Sequence, residues 1–135
     1  MDSIIRCFLI EDDMDDQEIF SMALGDIDKK IELTIANDGA EALEMLQAPG
    51  VVAPHYIFID VNMPRMNGLV CLKEIKLLPH IESSDVFMFS TTSDQKLIDI
   101  CLELGAREFI VKPAALKALS EKLRNVIARN SNNNK

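Results

Sequence analysis

Tyr56-Ile57-Phe58-Ile59-Asp60-Val61-Asn62-Met63-Pro64 is the stretch that sets the reading of the whole chain. Its first four residues are apolar without alternation, as in a strand covered on both faces, and such strands belong to parallel sheets. The run stops at a single carboxylate, Asp60, and Met63-Pro64 then marks a turn. Working outward, four more short apolar runs occur at residues 4–10, 31–36, 86–89 and 108–111. Segments with helical spacing separate them. Ile19, Phe20, Ala23, Leu24 and Ile27 form one stripe, and Ala42, Leu43 and Leu46 a shorter one. Leu69, Leu72, Ile75 and Leu78 form a third; Leu97, Ile98, Cys101 and Leu102 form a fourth. Leu116, Leu119, Leu123, Val126 and Ile127 form the last. Strands alternating with helices in this way predict an α/β fold: a doubly wound, five-stranded parallel sheet with right-handed crossovers and helices on both faces.

The composition agrees with such a domain and narrows its partners. A chain of 135 residues, 48% hydrophobic and 27% charged, suits one globular unit with a real core. Residues 1–129 are expected to form that unit, and the polar run 130–135 a solvated tail. Lys and Arg number 14 against 22 Asp and Glu, a net charge of −8. That balance argues against nucleic acid and against an anionic membrane surface as partners. No apolar stretch reaches the ~20 residues of a membrane helix, and the N-terminus does not read as a signal peptide. Three widely spaced cysteines (Cys7, Cys71, Cys101) with no CxxC pair read as reduced, buried small hydrophobes. Together these features predict a cytoplasmic protein.

In a doubly wound sheet, ligands bind beyond the carboxyl ends of the strands. The first run ends in Glu11-Asp12-Asp13, the third in Asp60, the fourth in Ser90-Thr91-Thr92 and the fifth in Lys112-Pro113. Carboxylates, hydroxyls and one ammonium thus converge on one edge. A hard divalent cation such as Mg²⁺ suits oxygen ligands of this kind. Phosphoryl transfer asks for the same parts: a metal to neutralise phosphoryl oxygens, a lysine as point charge and a hydroxyl donor. Asp60, alone at its strand end, is then the candidate nucleophile. Asp15 and Asp16 read as acids that stabilise a helix N-terminus. His55 and His80 read as surface residues in loops, and the seven methionines as core filler.

These residues closely resemble the receiver domain of two-component response regulators, of the stand-alone CheY-like kind, over residues 4–128. The resemblance rests on Glu11-Asp12, on Asp60 with Met63-Pro64 and Gly68 downstream, on Ser90 and on Lys112-Pro113. The steps of 30 residues from Asp60 to Ser90 and of 22 from Ser90 to Lys112 are usual for that family. It implies a flavodoxin-like (βα)5 fold with strand order 2-1-3-4-5. Asp60 is then the phospho-acceptor for a sensor histidine kinase or phosphotransfer protein. Asp12 binds Mg²⁺ directly, Glu11 through water, and the Asn62 backbone carbonyl supplies a further ligand. Lys112 contacts a phosphoryl oxygen, its bond to Pro113 is cis, Ser90 is the mobile hydroxyl and Phe109 the aromatic residue that follows it. Asp12-Asp13 is the alternative acidic pair; Glu11-Asp12 is favoured because it places Ile19 and Phe20 at buried helix positions.

The family pattern also implies output through the last two βα units, around residues 94–124, onto a downstream protein, with a homodimer as a further option. Ser90 stands where threonine is commoner, which keeps the hydroxyl but loosens χ1, and Thr91 stands where alanine is usual, which implies a slightly narrower, more polar pocket. Two other functions compete. An aspartate-nucleophile phosphohydrolase of the haloacid-dehalogenase kind also forms an aspartyl-phosphate, but its nucleophile follows the first strand and a second Asp lies two residues on. Here Asn62 occupies that second place. A phosphorylation-independent scaffold would bind its partner equally well with Asp60→Asn. The expected role is that of a non-enzymatic signalling domain.

Overall fold

The computed structural model describes residues 3–63 and 66–131. Five strands, β1 (Ile5–Ile10), β2 (Ile31–Ala36), β3 (Tyr56–Asp60), β4 (Asp85–Ser90) and β5 (Glu108–Val111), pair in parallel in the order β2-β1-β3-β4-β5. Helices α1 (Met14–Gly25), α2 (Gly39–Gln47), α3 (Gly68–Lys76), α4 (Gln95–Glu103) and α5 (Leu116–Ser131) connect and flank them. The doubly wound fold and its strand order stand as expected from the sequence.

Alternate residues of the strands feed two cores. On one face Cys7, Leu9, Tyr56, Phe58, Phe87 and Phe89 pack under α1 and α5. On the other, Phe8, Ile10, Ile57, Ile59, Val86 and Met88 pack under α2, α3 and α4. Every residue of β3 is buried, which accounts for the unbroken apolar run. Phe20 of α1 meets Phe58 and Phe89 edge-on, with centroids 5.0 and 5.6 Å apart.

Four helix starts are set by side chains that satisfy free backbone N–H groups. Asp13, Asp38, Asn67 and Asp94 cap α1 to α4, accepting from the N–H of Asp16, Glu41, Val70 and Lys96. Gly68, the first residue of α3, lies against the end of β3. A Cβ at this position would stand 2.5 Å from the Asp60 carbonyl oxygen and 2.6 Å from Val61 Cα. Glycine is therefore required for α3 to start this close to Asp60.

Several sequence expectations are corrected at the edges of the stripes. Ile19, Leu102 and Leu116 are more than a third exposed, because each stands at the margin of its helix's apolar face. Helix α5 continues through Ser131, so the domain does not end at residue 129. Asn130 is buried and accepts from Arg107 Nε at 2.9 Å while donating to Glu108 Oε2 at 3.0 Å. Residues 132–135 of the expected tail lie outside the described residues. All three cysteines are buried free thiols; burial alone pushes Cys7 up to about 12. The two histidines bond to backbone: Arg6 N–H donates to His55 Nδ1 at 2.9 Å, and His80 Nε2 lies 2.6 Å from the Leu46 carbonyl. No helix among the described residues is long and apolar enough to cross a membrane.

Candidate functional site

The strand order reverses between β1 and β3, and the crevice there gathers the polar residues that end four strands. Glu11 follows β1 and Asp60 closes β3, and both are nearly inaccessible, at 1% and 6% exposure. Lys112 follows β5 and reaches back across the sheet end. Its Nζ lies 3.0 Å from Glu11 Oε1, 3.2 Å from Asp16 Oδ2 and 3.7 Å from Asp60 Oδ1. The ring of Phe89 lies beneath this ammonium, with its centroid 5.0 Å from Nζ. Ser90 at the end of β4 is fully buried; its Oγ accepts from Thr92 N–H at 3.2 Å, and its carbonyl accepts from Lys112 N–H at 2.7 Å. That last bond ties the β4 end to the residue that carries the ammonium.

Charge in this crevice is poorly balanced. Carboxylate oxygens of Glu11, Asp12 and Asp60 can all lie within 4.8 Å of one another, and among the described residues Lys112 supplies the one ammonium that faces them. Burial pushes the Glu11 carboxyl up to about 7; the neighbouring Asp60 adds to the rise and Lys112 opposes it. Burial also raises Asp60, against the pull of Glu11, Lys112 and the Asn62 N–H, which donates to Asp60 Oδ1 at 3.3 Å. Burial works against the charge of Lys112, yet Asp60, Glu11 and Asp16 outweigh it and hold its pKa above that of a free lysine. Three clustered carboxylate oxygens could hold a hard divalent cation, and oxygen donors of this kind fit Mg²⁺.

The structure brings together Glu11, Asp12, Asp60, Ser90 and Lys112. Asp13 is engaged as the cap of α1, and Glu11 and Asp12 stand with Asp60. Phe20 is buried as expected, whereas Ile19 is exposed. Phe109 is half-buried and packs on the α2–α4 face. Val111 pairs with Ser90, so Phe109 lies on the same sheet face two residues before the pair. The expectation of a cis Lys112-Pro113 bond is overturned: no cis peptide bond occurs among the described residues. Trans is the intrinsically favoured form even before proline, by about 0.5–1 kcal/mol. Pro64, part of the quoted motif, lies outside the described residues. Reading the sequence missed one member of the site. Asp16 is a first-turn acid of α1, as expected, but it also pairs with Lys112 across 96 positions of sequence.

Comparison with known proteins agrees with this geometry. The response regulator receiver domain family matches residues 7–124, nearly the whole chain. The chain belongs to that family. This receiver domain is 29% identical to the chemotaxis protein CheY of Thermotoga maritima over 114 residues, covering 84% of this chain and 92% of that one. It is 30% identical to the two-component response regulator ORR3 of rice (Oryza sativa), covering 89% and 88% of the two chains. The crystal structure of the phosphorylated cyanobacterial phytochrome response regulator RcpA superposes with a TM-score of 0.83 at 26% identity, covering 93% and 92%. The receiver domain also matches a protein-glutamate methylesterase of Methanospirillum hungatei at 29% identity, where it spans only 34% of that longer protein. The chain is therefore a CheY-like response regulator receiver of the two-component class.

Proposed function

We propose that this receiver accepts a phosphoryl group on Asp60 from the phosphohistidine of a sensor histidine kinase or phosphotransfer protein, in a Mg²⁺-dependent reaction that switches a protein-binding surface. The observation that carries the reading is the placement of Asp60. It is a nearly buried carboxylate at the end of the central strand, facing an ammonium and two further carboxylates. A carboxylate oxygen of Asp60 bonds to phosphorus as the phosphorus–nitrogen bond breaks. The electron pair leaves on the imidazole, which takes up a proton.

Glu11, Asp12, Asp60 and the Asn62 carbonyl would hold the cation. When bound, it neutralises the oxygens of the incoming group. Lys112 donates a charge-assisted hydrogen bond to a phosphoryl oxygen. Asn62 N–H, already aimed at Asp60 Oδ1, fixes the orientation of the nucleophile. The Ser90 hydroxyl turns toward the phosphoryl group and leaves space on the α2–α4 face, into which Phe109 moves. The two conformations need differ by only a few kcal/mol for one covalent event to shift their populations. Exposed Ile100 and Leu102 on α4 and Leu116 on α5 supply apolar contacts for a downstream protein within the last two βα units.

Incubation with acetyl phosphate and Mg²⁺, followed by intact-mass measurement, tests the reading. One phosphoryl group is expected, abolished by EDTA and by Asp60→Asn. Labelling that survives Asp60→Asn would overturn it.

A further inference from the structure

We propose that Asp16 is a positioning residue that competes with the phosphoryl group for Lys112, and so sets how readily the site is filled. The inference rests on the phospho-acceptor reading of Asp60. An ammonium has three N–H donors. Two of them are engaged, by Glu11 at 3.0 Å and by Asp16 at 3.2 Å, while Asp60 stays beyond hydrogen-bond distance at 3.7 Å.

The two engaged acids differ in kind. The Glu11 side chain is 1% exposed, and that of Asp16 is 42% exposed. Asp16 therefore pairs with Lys112 from the solvent side of the crevice, where water can replace the lysine once it leaves. Its backbone is held in place independently: Asp16 N–H donates to the Asp13 carboxylate at 2.9 Å, which fixes the first turn of α1. The carboxylate is thus delivered to Lys112 by a capped helix, and the contact joins the start of α1 to the end of β5.

A phosphoryl group on Asp60 introduces several strong acceptor oxygens and up to about two negative charges. Lys112 can serve it by giving up the Asp16 contact while keeping the buried Glu11 contact. Asp16 opposes filling of the site in two ways with the same sign. It occupies a donor, and its charge repels an anionic group arriving beside it. Because the acid of the pair is open to solvent, the pair is partly screened and the expected effect is modest, roughly two- to fivefold.

The test is the affinity of beryllofluoride, a phosphoryl analogue, measured by calorimetry at saturating Mg²⁺ on the full chain. Asp16→Asn is expected to bind it two- to fivefold more tightly and to gain label from acetyl phosphate faster by a similar factor. Asp16→Glu, which restores the charge, is expected to return both values toward wild type. In a Lys112→Ala background, Asp16→Asn is expected to lose most of its effect. A stability change alone would not give that pattern. Wild-type protein that binds beryllofluoride, with Asp16→Asn unchanged or weaker, overturns the role of Asp16. Wild-type protein that takes neither label nor beryllofluoride overturns the phospho-acceptor reading instead.

Discussion

Replacing Gly68 by alanine probes how closely the structure of the site is tied to its chemistry. Two effects oppose each other. Alanine in the first turn of α3 favours the helix by up to about 1 kcal/mol over glycine. Against that, its Cβ would meet Asp60 O at 2.5 Å and Val61 Cα at 2.6 Å, both backbone atoms that cannot rotate away. Ordinary contact is near 3.4 Å or more, so α3 and the end of β3 must part by about 1 Å. Overpacking of this kind costs about 1–3 kcal/mol, and the clash with backbone puts Gly68→Ala at the upper end, a net loss of roughly 2 kcal/mol. The displaced segment carries Asp60 itself, and a misplacement of about 1 Å can lower a rate by up to roughly a hundredfold. Urea denaturation and the initial rate of labelling by acetyl phosphate measure the two consequences. Gly25→Ala is the control: nothing lies within 4 Å of a Cβ there, so it is expected to be neutral or stabilising by up to about 1 kcal/mol. Gly68→Ala with wild-type stability and wild-type labelling would refute the close-approach argument.

Other consequences can be measured separately. In EDTA, Asp60→Asn is expected to melt above wild type, because the buried carboxylate that burial drives toward neutrality has been replaced by a neutral group; added Mg²⁺ should stabilise wild type and have little effect on the variant. Phe20→Ala removes the ring that touches both Phe58 and Phe89 and should cost about 3–5 kcal/mol in urea denaturation. Burial tends to raise Glu108, but Arg129, Asn130 and Arg107 outweigh it and hold the group below its ordinary value. Its contribution is therefore full above the unfolded carboxylate pKa and is lost as pH falls through the folded value. Acid denaturation followed by circular dichroism should accordingly show a shallower loss of stability for Glu108→Gln than for wild type.

Much of this was legible before the fold was known, for a physical reason. Buried parallel strands leave continuous apolar runs, so β3 could be placed from the order of its residues alone, whereas the edge strand β2 alternates, with Glu32 and Thr34 exposed. The polar residue after each run then falls on one sheet edge by topology, which brought Glu11, Asp60, Ser90 and Lys112 together without any knowledge of distance. What could not be read depends on side-chain direction across long separations. Asp15 and Asp16 are alike in sequence, and only the turn of α1 sends Asp16 to Lys112. Asp12 and Asp13 likewise differ only in which one the helix uses as its cap. The polar composition of residues 130–135 suggested a tail, but Asn130 is drawn into the fold by Arg107 and Glu108, partners more than twenty positions away. The cis bond expected at Pro113 followed from resemblance alone, and no local feature of the sequence distinguishes the two isomers.

The central claim is that Asp60, and not one of the acids beside it, carries the phosphoryl group. Borohydride reduces an acyl phosphate and turns the labelled aspartate into homoserine, so peptide sequencing by mass spectrometry after acetyl phosphate treatment locates the bond directly. Homoserine at position 60 alone is the predicted result. Homoserine at position 12 or 13, or none in a sample whose intact mass shows the added group, would contradict it.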